Sequence, residues 1–237
     1  MKHMPQVWLG LILAFTSTAV QVQVASSQAS APSDAMVVGL VQIWVGSKFR
    51  GTGILMDDDA NTIVTGRDTI DGGGILGITV KVSGDEFYRK ADIVAYERNY
   101  GLALLWAAGS PAPQIDTSRP TLLPTIGDPL ILVGCACVLH DPEDSCLKYG
   151  VGFGTVTVLQ SYSGNLPHPY GPPTEGLMVV GLPSASPVPL TSGMALFYPA
   201  NGRLAGIVTL VKGGHQLVVV PAYVVIAMVR SVNLFRK

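Results

Sequence analysis

Residues 190–220 read LTSGMALFYPANGRLAGIVTLVKGGHQLVVV. Three apolar runs stand in this stretch: Met194–Phe197, Leu204–Val211 and Gln216–Val220. Each is too short for a stable helix and rich in Val, Leu and Ile, so each reads as a strand. Asn201-Gly202 and Gly213-Gly214 separate them and supply the turn chemistry of hairpins. The same grammar extends back along the chain. Leu130–Val138, Gly154–Leu159 and Gly176–Val180 complete one group of six runs. Val37–Val45, Gly53–Met56, Thr62–Thr65, Ile75–Val82, Ala91–Tyr96 and Leu102–Trp106 form another. Regular short strands punctuated by Gly, Pro, Asn and Asp point to a sandwich or barrel and away from an α/β fold. The proline-rich residues 107–129 connect the two groups. Tyr223–Leu234, with Val224, Ala227, Met228 and Ser231 at helical spacing, predicts one C-terminal helix.

Composition narrows the class. Hydrophobic residues make up 48% of the 237 and charged residues only 13%, where about 25% charged is usual. Either the core is large, or part of the surface is covered by a partner or lies near a membrane. The formal net charge of -1, with no basic run interleaved with aromatics, speaks against nucleic acid. Lys2 and His3 precede an apolar segment, Val7–Val20, that is short for a membrane span and suits the core of an export signal. Residues 1–29 are therefore expected to be a signal peptide or a retained anchor, with a plausible cleavage point at Ser27-Gln28-Ala29. Residues 30–36 follow as a linker and 37–237 as the folded domain, with halves at about 37–110 and 125–222. Export to the periplasm, or to the outer face of the cytoplasmic membrane, is the expected location. Membrane proximity would come through residues 7–20.

Several local patterns add a resemblance. Gly51-Thr52-Gly53-Ile54-Leu55-Met56-Asp57 and Ile63-Val64-Thr65 resemble the segment that leads to the catalytic His in trypsin-like serine proteases of the HtrA-type branch. Residues 91–105, ADIVAYERNYGLALL, resemble the segment that carries the family's catalytic Asp. Thr191-Ser192-Gly193-Met194-Ala195-Leu196 is similar to the N-S-G-G-P-L around its nucleophile. Residues 201–207, NGRLAGI, and Val218-Val219-Val220-Pro221 are similar to its closing hairpin. Each motif is weak alone, but they occur in the family's order over about residues 37–230. The resemblance implies an all-β fold of two six-stranded antiparallel β-barrels with a short C-terminal helix. The PDZ domain that often follows in that branch is not expected after Lys237.

At the positions where the family does chemistry, this chain departs from it. A serine protease needs a nucleophile, a base within hydrogen-bond reach, and a group that orients the base. Carried over residue by residue, the base position is Asp68, the orienting position is Gly101, and only the nucleophile survives, as Ser192. A carboxylate is a far weaker base for a hydroxyl than imidazole, and Gly101 has no side chain to orient anything. Two residues before the nucleophile the family has Gly, whose N–H helps hold the oxyanion; here it is Leu190. Met194 and Ala195 replace the following Gly and Pro.

The four histidines are His3, His140, His168 and His215. His3 lies in the export segment, His215 in a hairpin turn, and His168 between Pro167 and Pro169. Exposed loop residues are the simplest reading, with a rebuilt base from His140 or His168 as the alternative. Cys135, Cys137, His140 and Cys146 form a C-x-C-x₂-H-x₅-C cluster. Its spacing matches no established zinc pattern, so in an exported protein a Cys137–Cys146 or Cys135–Cys146 disulfide is favoured over a metal. Asp57-Asp58-Asp59 reads as a solvated hairpin tip. The expectation is a non-catalytic domain that needs no cofactor and acts as a binding or scaffold subunit with a protein partner in the cell envelope. The alternatives are an active serine hydrolase with a rearranged site around Ser192, and a metal or redox protein built on the cysteine cluster.

Overall fold

The computed structural model describes residues 36, 39–56, 61–82, 86–109, 115, 124–137, 149–162, 177–182, 190–213 and 216–234. Twelve strands occupy these segments. The first six are β1 (Leu40–Val45), β2 (Lys48–Leu55), β3 (Thr62–Gly66), β4 (Ile78–Val82), β5 (Arg89–Glu97) and β6 (Leu102–Trp106). The second six are β7 (Pro129–Cys137), β8 (Tyr149–Tyr162), β9 (Leu177–Gly181), β10 (Ala195–Phe197), β11 (Leu204–Lys212) and β12 (Gln216–Pro221). A 3₁₀ turn, Arg67–Ile70, and a one-turn helix α1, Gly73–Leu76, follow β3; helix α2, Ala222–Leu234, follows β12.

Each set of six strands closes on itself. The first barrel runs β1-β2-β3-β6-β5-β4 and the second β10-β11-β12-β9-β8-β7. Every ladder is antiparallel, and the closing pairs are β1 with β4 and β10 with β7. Closure removes the free sheet edges that an open sheet would expose.

Strand alternation explains the unusual composition. On β1, Val41, Ile43 and Val45 point into the first barrel, with Leu55, Ile63, Val80 and Leu105. Leu40 points the other way, into an apolar layer shared by both barrels with Ile54, Val64, Leu104, Val133, Ile207 and Val220. A third cluster, including Leu130, Leu132, Val180 and Leu217, fills the second barrel. Strands along the seam are therefore buried on both faces and read as continuous apolar runs. Helix α2 extends the shared layer by turning Ala222, Val225, Ile226 and Val229 onto it.

The sequence reading and the structure differ in a few places. The run expected to start β4 at Ile75 is broken: Ile75 and Leu76 belong to α1, bounded by Gly72 and Gly77 at φ of 82° and 78°. Left-handed backbone on both sides interrupts a strand. Strand β2 begins earlier than its apolar run, at Lys48, because its exposed start is polar. Among the described residues no helix is long and apolar enough to cross a membrane. The expected signal segment, residues 30–35 of the expected linker and Asp57-Asp58-Asp59 lie outside the described residues; Met36, placed at the end of that linker, is instead buried in the layer shared by the two barrels because its side chain is apolar.

Candidate functional site

The site lies at the seam, where the 3₁₀ turn after β3 meets the turn before β10. Ser192 is half-buried there. Its hydroxyl lies 3.0 Å from the hydroxyl of Thr69, and Thr69 Oγ1 is also 3.3 Å from the Ser192 carbonyl. Thr69 is buried on the 3₁₀ turn, while Asp68, one residue earlier, is exposed. The side chain that meets Ser192 is thus that of Thr69, not that of Asp68. A threonine hydroxyl stays protonated at physiological pH and cannot act as a general base.

Gly66 closes the other side. A Cβ placed on it would lie 2.5 Å from Ser192 Cβ and 2.6 Å from Ser192 Oγ. Ser192 therefore packs directly against the backbone at the end of β3. Gly193, at φ of 85°, fits even more tightly. A Cβ there would overlap the Thr52 carbonyl oxygen and come within 2.6 Å of Thr65 Oγ1. Hydrogen bonds lock this loop. The Gly193 N–H donates to the Val208 carbonyl at 2.7 Å, and the Val208 N–H donates to the Met194 carbonyl at 2.9 Å. Met194 is fully buried, accepts the Thr191 N–H on its sulfur at 3.4 Å, and fills the space over Gly134.

One more threonine, Thr52, binds the barrels together, and Thr65 braces it within the first barrel. Thr65 Oγ1 donates to the Thr52 carbonyl at 2.6 Å, and Thr52 Oγ1 accepts the Cys135 N–H at 2.9 Å across the seam from β2 to β7. At the third position, Gly101 adopts φ of 64° in the turn between β5 and β6. Its carbonyl accepts the Arg67 N–H at 2.9 Å and lies 3.1 Å from the hydroxyl of Thr209. Thr209 donates at 2.6 Å to the Tyr100 carbonyl. Backbone carbonyls thus take up the Arg67 N–H and the Thr209 hydroxyl at Gly101, and Gly101 itself offers no side chain. Burial first, then the neighbouring Tyr223 and Glu97, raise the Tyr100 phenol above its usual pKa.

Leu190 is half-buried at the entrance to the same turn. His140, His168, His215 and His3 lie outside the described residues, as does Cys146. Cys135 is a free, buried thiol, so the Cys135–Cys146 bridge allowed by the sequence does not form. Burial pushes its pKa from 9.0 up to about 12, against a smaller opposing effect of Thr52. As a protonated thiol facing the shared apolar layer, it is a poor metal ligand. The alternative pairing, Cys137 with Cys146, involves a partner outside the described residues. Among the described residues no group of His, Cys, Asp and Glu is arranged to hold a metal.

Thr52, Thr65, Thr69 and Thr209, with Gly66, form the working parts of the seam, and the sequence reading named none of these roles. One signal was present: threonine at intervals inside apolar strands, each requiring a hydrogen-bond partner once buried.

Two closed six-stranded barrels packed side by side, with a terminal helix and Ser192 at the seam, define the fold of the trypsin-like serine protease domains. Solved structures agree. The MamO protease domain from Magnetospirillum magneticum superposes with a TM-score of 0.61 at 15% identity, over 82% of this chain and 97% of that one. A serine-to-alanine mutant of Rv3671c from Mycobacterium tuberculosis, in its inactive form, gives 0.58 at 16% identity, over 88% and 97%. The HtrA-type protease AlgW gives 0.55 at 17% identity, over 78% of this chain and 52% of that one. No family model and no curated protein matches the sequence.

Proposed function

We propose that this chain is a non-catalytic trypsin-like domain that serves as a binding or scaffold subunit in the cell envelope. The observation that carries the reading is the partner of Ser192: its hydroxyl faces Thr69, with Gly66 against its other side. Proton removal from a serine needs a base in hydrogen-bond reach, and a neutral hydroxyl is not one. Asp68 is exposed, and Gly101 spends its carbonyl on Arg67, so neither supplies the missing function. Ser192 and Gly101 instead take part in contacts that tie one barrel to the other, to Thr69 and Thr209 respectively. A closed double barrel is a suitable platform for a protein partner.

The test uses the purified full chain with casein and a serine-reactive fluorophosphonate. The expected result is neither cleavage nor labelling of Ser192. Robust labelling at Ser192 would overturn the proposal and direct attention to His140 or His168 as a rebuilt base. Co-purification from native membranes would then identify the partner.

A further inference from the structure

We propose that α1 is a strap that unwinds and adds to β4 as a strand, closing over an overhanging edge of β5. Both halves of the fit are visible in the structure. Ile75 is 92% exposed and Leu76 65%, an unfavourable place for two adjacent aliphatic side chains. Little in α1 holds them there. The helix is a single turn of four residues, Gly-Gly-Ile-Leu, without a side-chain cap. Helices this short are unstable alone, and two glycines and a β-branched residue weaken this one further.

The opposing edge begins where β4 stops. Strand β4 pairs with β5 only over Arg89–Ala91, while β5 runs on to Glu97 beside β6 alone. Among the described residues, no strand covers residues 92–97 on the β4 side. Alternate N–H and C=O groups of such an edge point away from the paired neighbour.

Continuing the β4–β5 ladder in its own register supplies the match. Ile78 lies opposite Ala91, and both belong to the interior of the first barrel. The same register sets Gly77 opposite Asp92, Leu76 opposite Ile93 and Ile75 opposite Val94. Antiparallel partners share a face and lie close enough to pack. Ile93 is half-buried against the first barrel's interior, so Leu76 would extend that cluster. Val94 is half-buried against the layer shared by the barrels, so Ile75 would join it on that side. The bulge between Ile93 and Ala95 ends the match there.

Gly77 is the hinge. It is still in line with β4: its carbonyl accepts the Gly46 N–H at 3.0 Å, one step beyond the pairing of Val45 with Ile78. Its ψ of 148° is already that of a strand, and its φ of 78° turns the chain aside into α1. Gly72, at φ of 82°, gives the same freedom at the other end. Closure removes both aliphatic side chains from water and exchanges one helical turn for ladder hydrogen bonds.

Disulfide trapping in the full chain tests this. The pair Leu76→Cys with Ile93→Cys is exposed to oxidised glutathione, and the bridge is identified by peptide mapping. It is expected to form, at an initial rate that follows the population of the closed strap. Gly77→Ala, whose Cβ meets nothing within 4 Å, penalises only the positive-φ form and is expected to raise that rate about tenfold. Gly74→Ala, equally unobstructed, favours the helical turn and is expected to lower it about fivefold. The pair Ile75→Cys with Ile93→Cys puts its thiols on opposite faces of the closed strand and is expected not to bridge. Failure of the first pair to bridge in the Gly77→Ala background would overturn the proposal. So would equal rates in the two alanine variants, or equal bridging by the second pair. Should Gly77→Ala not fold, a rate left unchanged by Gly74→Ala overturns it alone.

Discussion

If Ser192 is a packing residue, Gly66→Ala should destabilise the protein, and the pattern of rescue should show why. Gly66 sits at φ -68° and ψ 142°, an extended conformation that any residue adopts. Backbone strain is thus absent, and Gly→Ala at such a position ordinarily stabilises by about 0.4–1 kcal/mol through the unfolded chain. Here the new methyl meets Ser192 Cβ at 2.5 Å and Oγ at 2.6 Å. Carbon atoms pack best at about 3.5–4.0 Å, so a shift of about 1 Å is needed. Gly193, next in the chain, cannot absorb it, because the Thr52 carbonyl already fills the space beside it. Overpacking of this kind costs about 1–3 kcal/mol, leaving a net loss of about 1–2 kcal/mol. Ser192→Ala removes the hydroxyl but keeps Cβ, so it should not rescue Gly66→Ala. Ser192→Gly removes both atoms and should recover at least about 1 kcal/mol in a double-mutant cycle. Urea unfolding followed by circular dichroism reads these differences, with unchanged m-values as the control. A neutral or stabilising Gly66→Ala would refute the reasoning, as would equal rescue by Ala and Gly, because either would mean that Ser192 swings freely in an open cleft.

Two further outcomes test the seam. Thr52→Val keeps the shape but leaves the buried Cys135 N–H without its acceptor, and should cost about 1–3 kcal/mol in thermal or urea unfolding; a loss below about 0.5 kcal/mol would contradict the bridging role. The Cys135 thiol has a pKa raised by burial from 9.0 to about 12, so the unfolded chain releases a proton above about pH 9 that the folded chain keeps. Stability should be insensitive to this thiol below about pH 9 and fall between about pH 9 and 12, by at most about 1.4 kcal/mol per pH unit. Tyr198, also raised to about 12, acts in the same direction. Cys135→Ala should flatten the alkaline fall in part, and an identical pH profile would refute the assignment.

Much of the fold was legible because the strands are short, apolar and separated by turn residues. Leu102–Trp106 carries the same bounds in sequence and structure, and Leu204–Lys212 differs by one residue. The errors have local causes. Ile75 and Leu76 looked continuous with Ile78 and Val80, but the positive φ of Gly72 and Gly77 bends them out of the barrel wall. Lys48, Phe49 and Arg50 hid the start of β2 because an exposed strand edge need not be apolar. At the site, motif alignment is one-dimensional. Which side chain of Arg67–Ile70 faces Ser192 depends on the pitch of the 3₁₀ turn, and that turns Thr69 inward and Asp68 to solvent. The role of Gly66 was invisible because it arises from a contact between residues 126 positions apart.

The left-handed turn at Gly101 limits which side chains that position can carry. An aspartate introduced there alone would have to adopt φ near 64°, or rebuild a turn whose carbonyl already holds Arg67. It would also have no imidazole to orient at position 68. A carboxylate can therefore be added at this position only with a rearrangement of the backbone hydrogen bonds that now fix the turn.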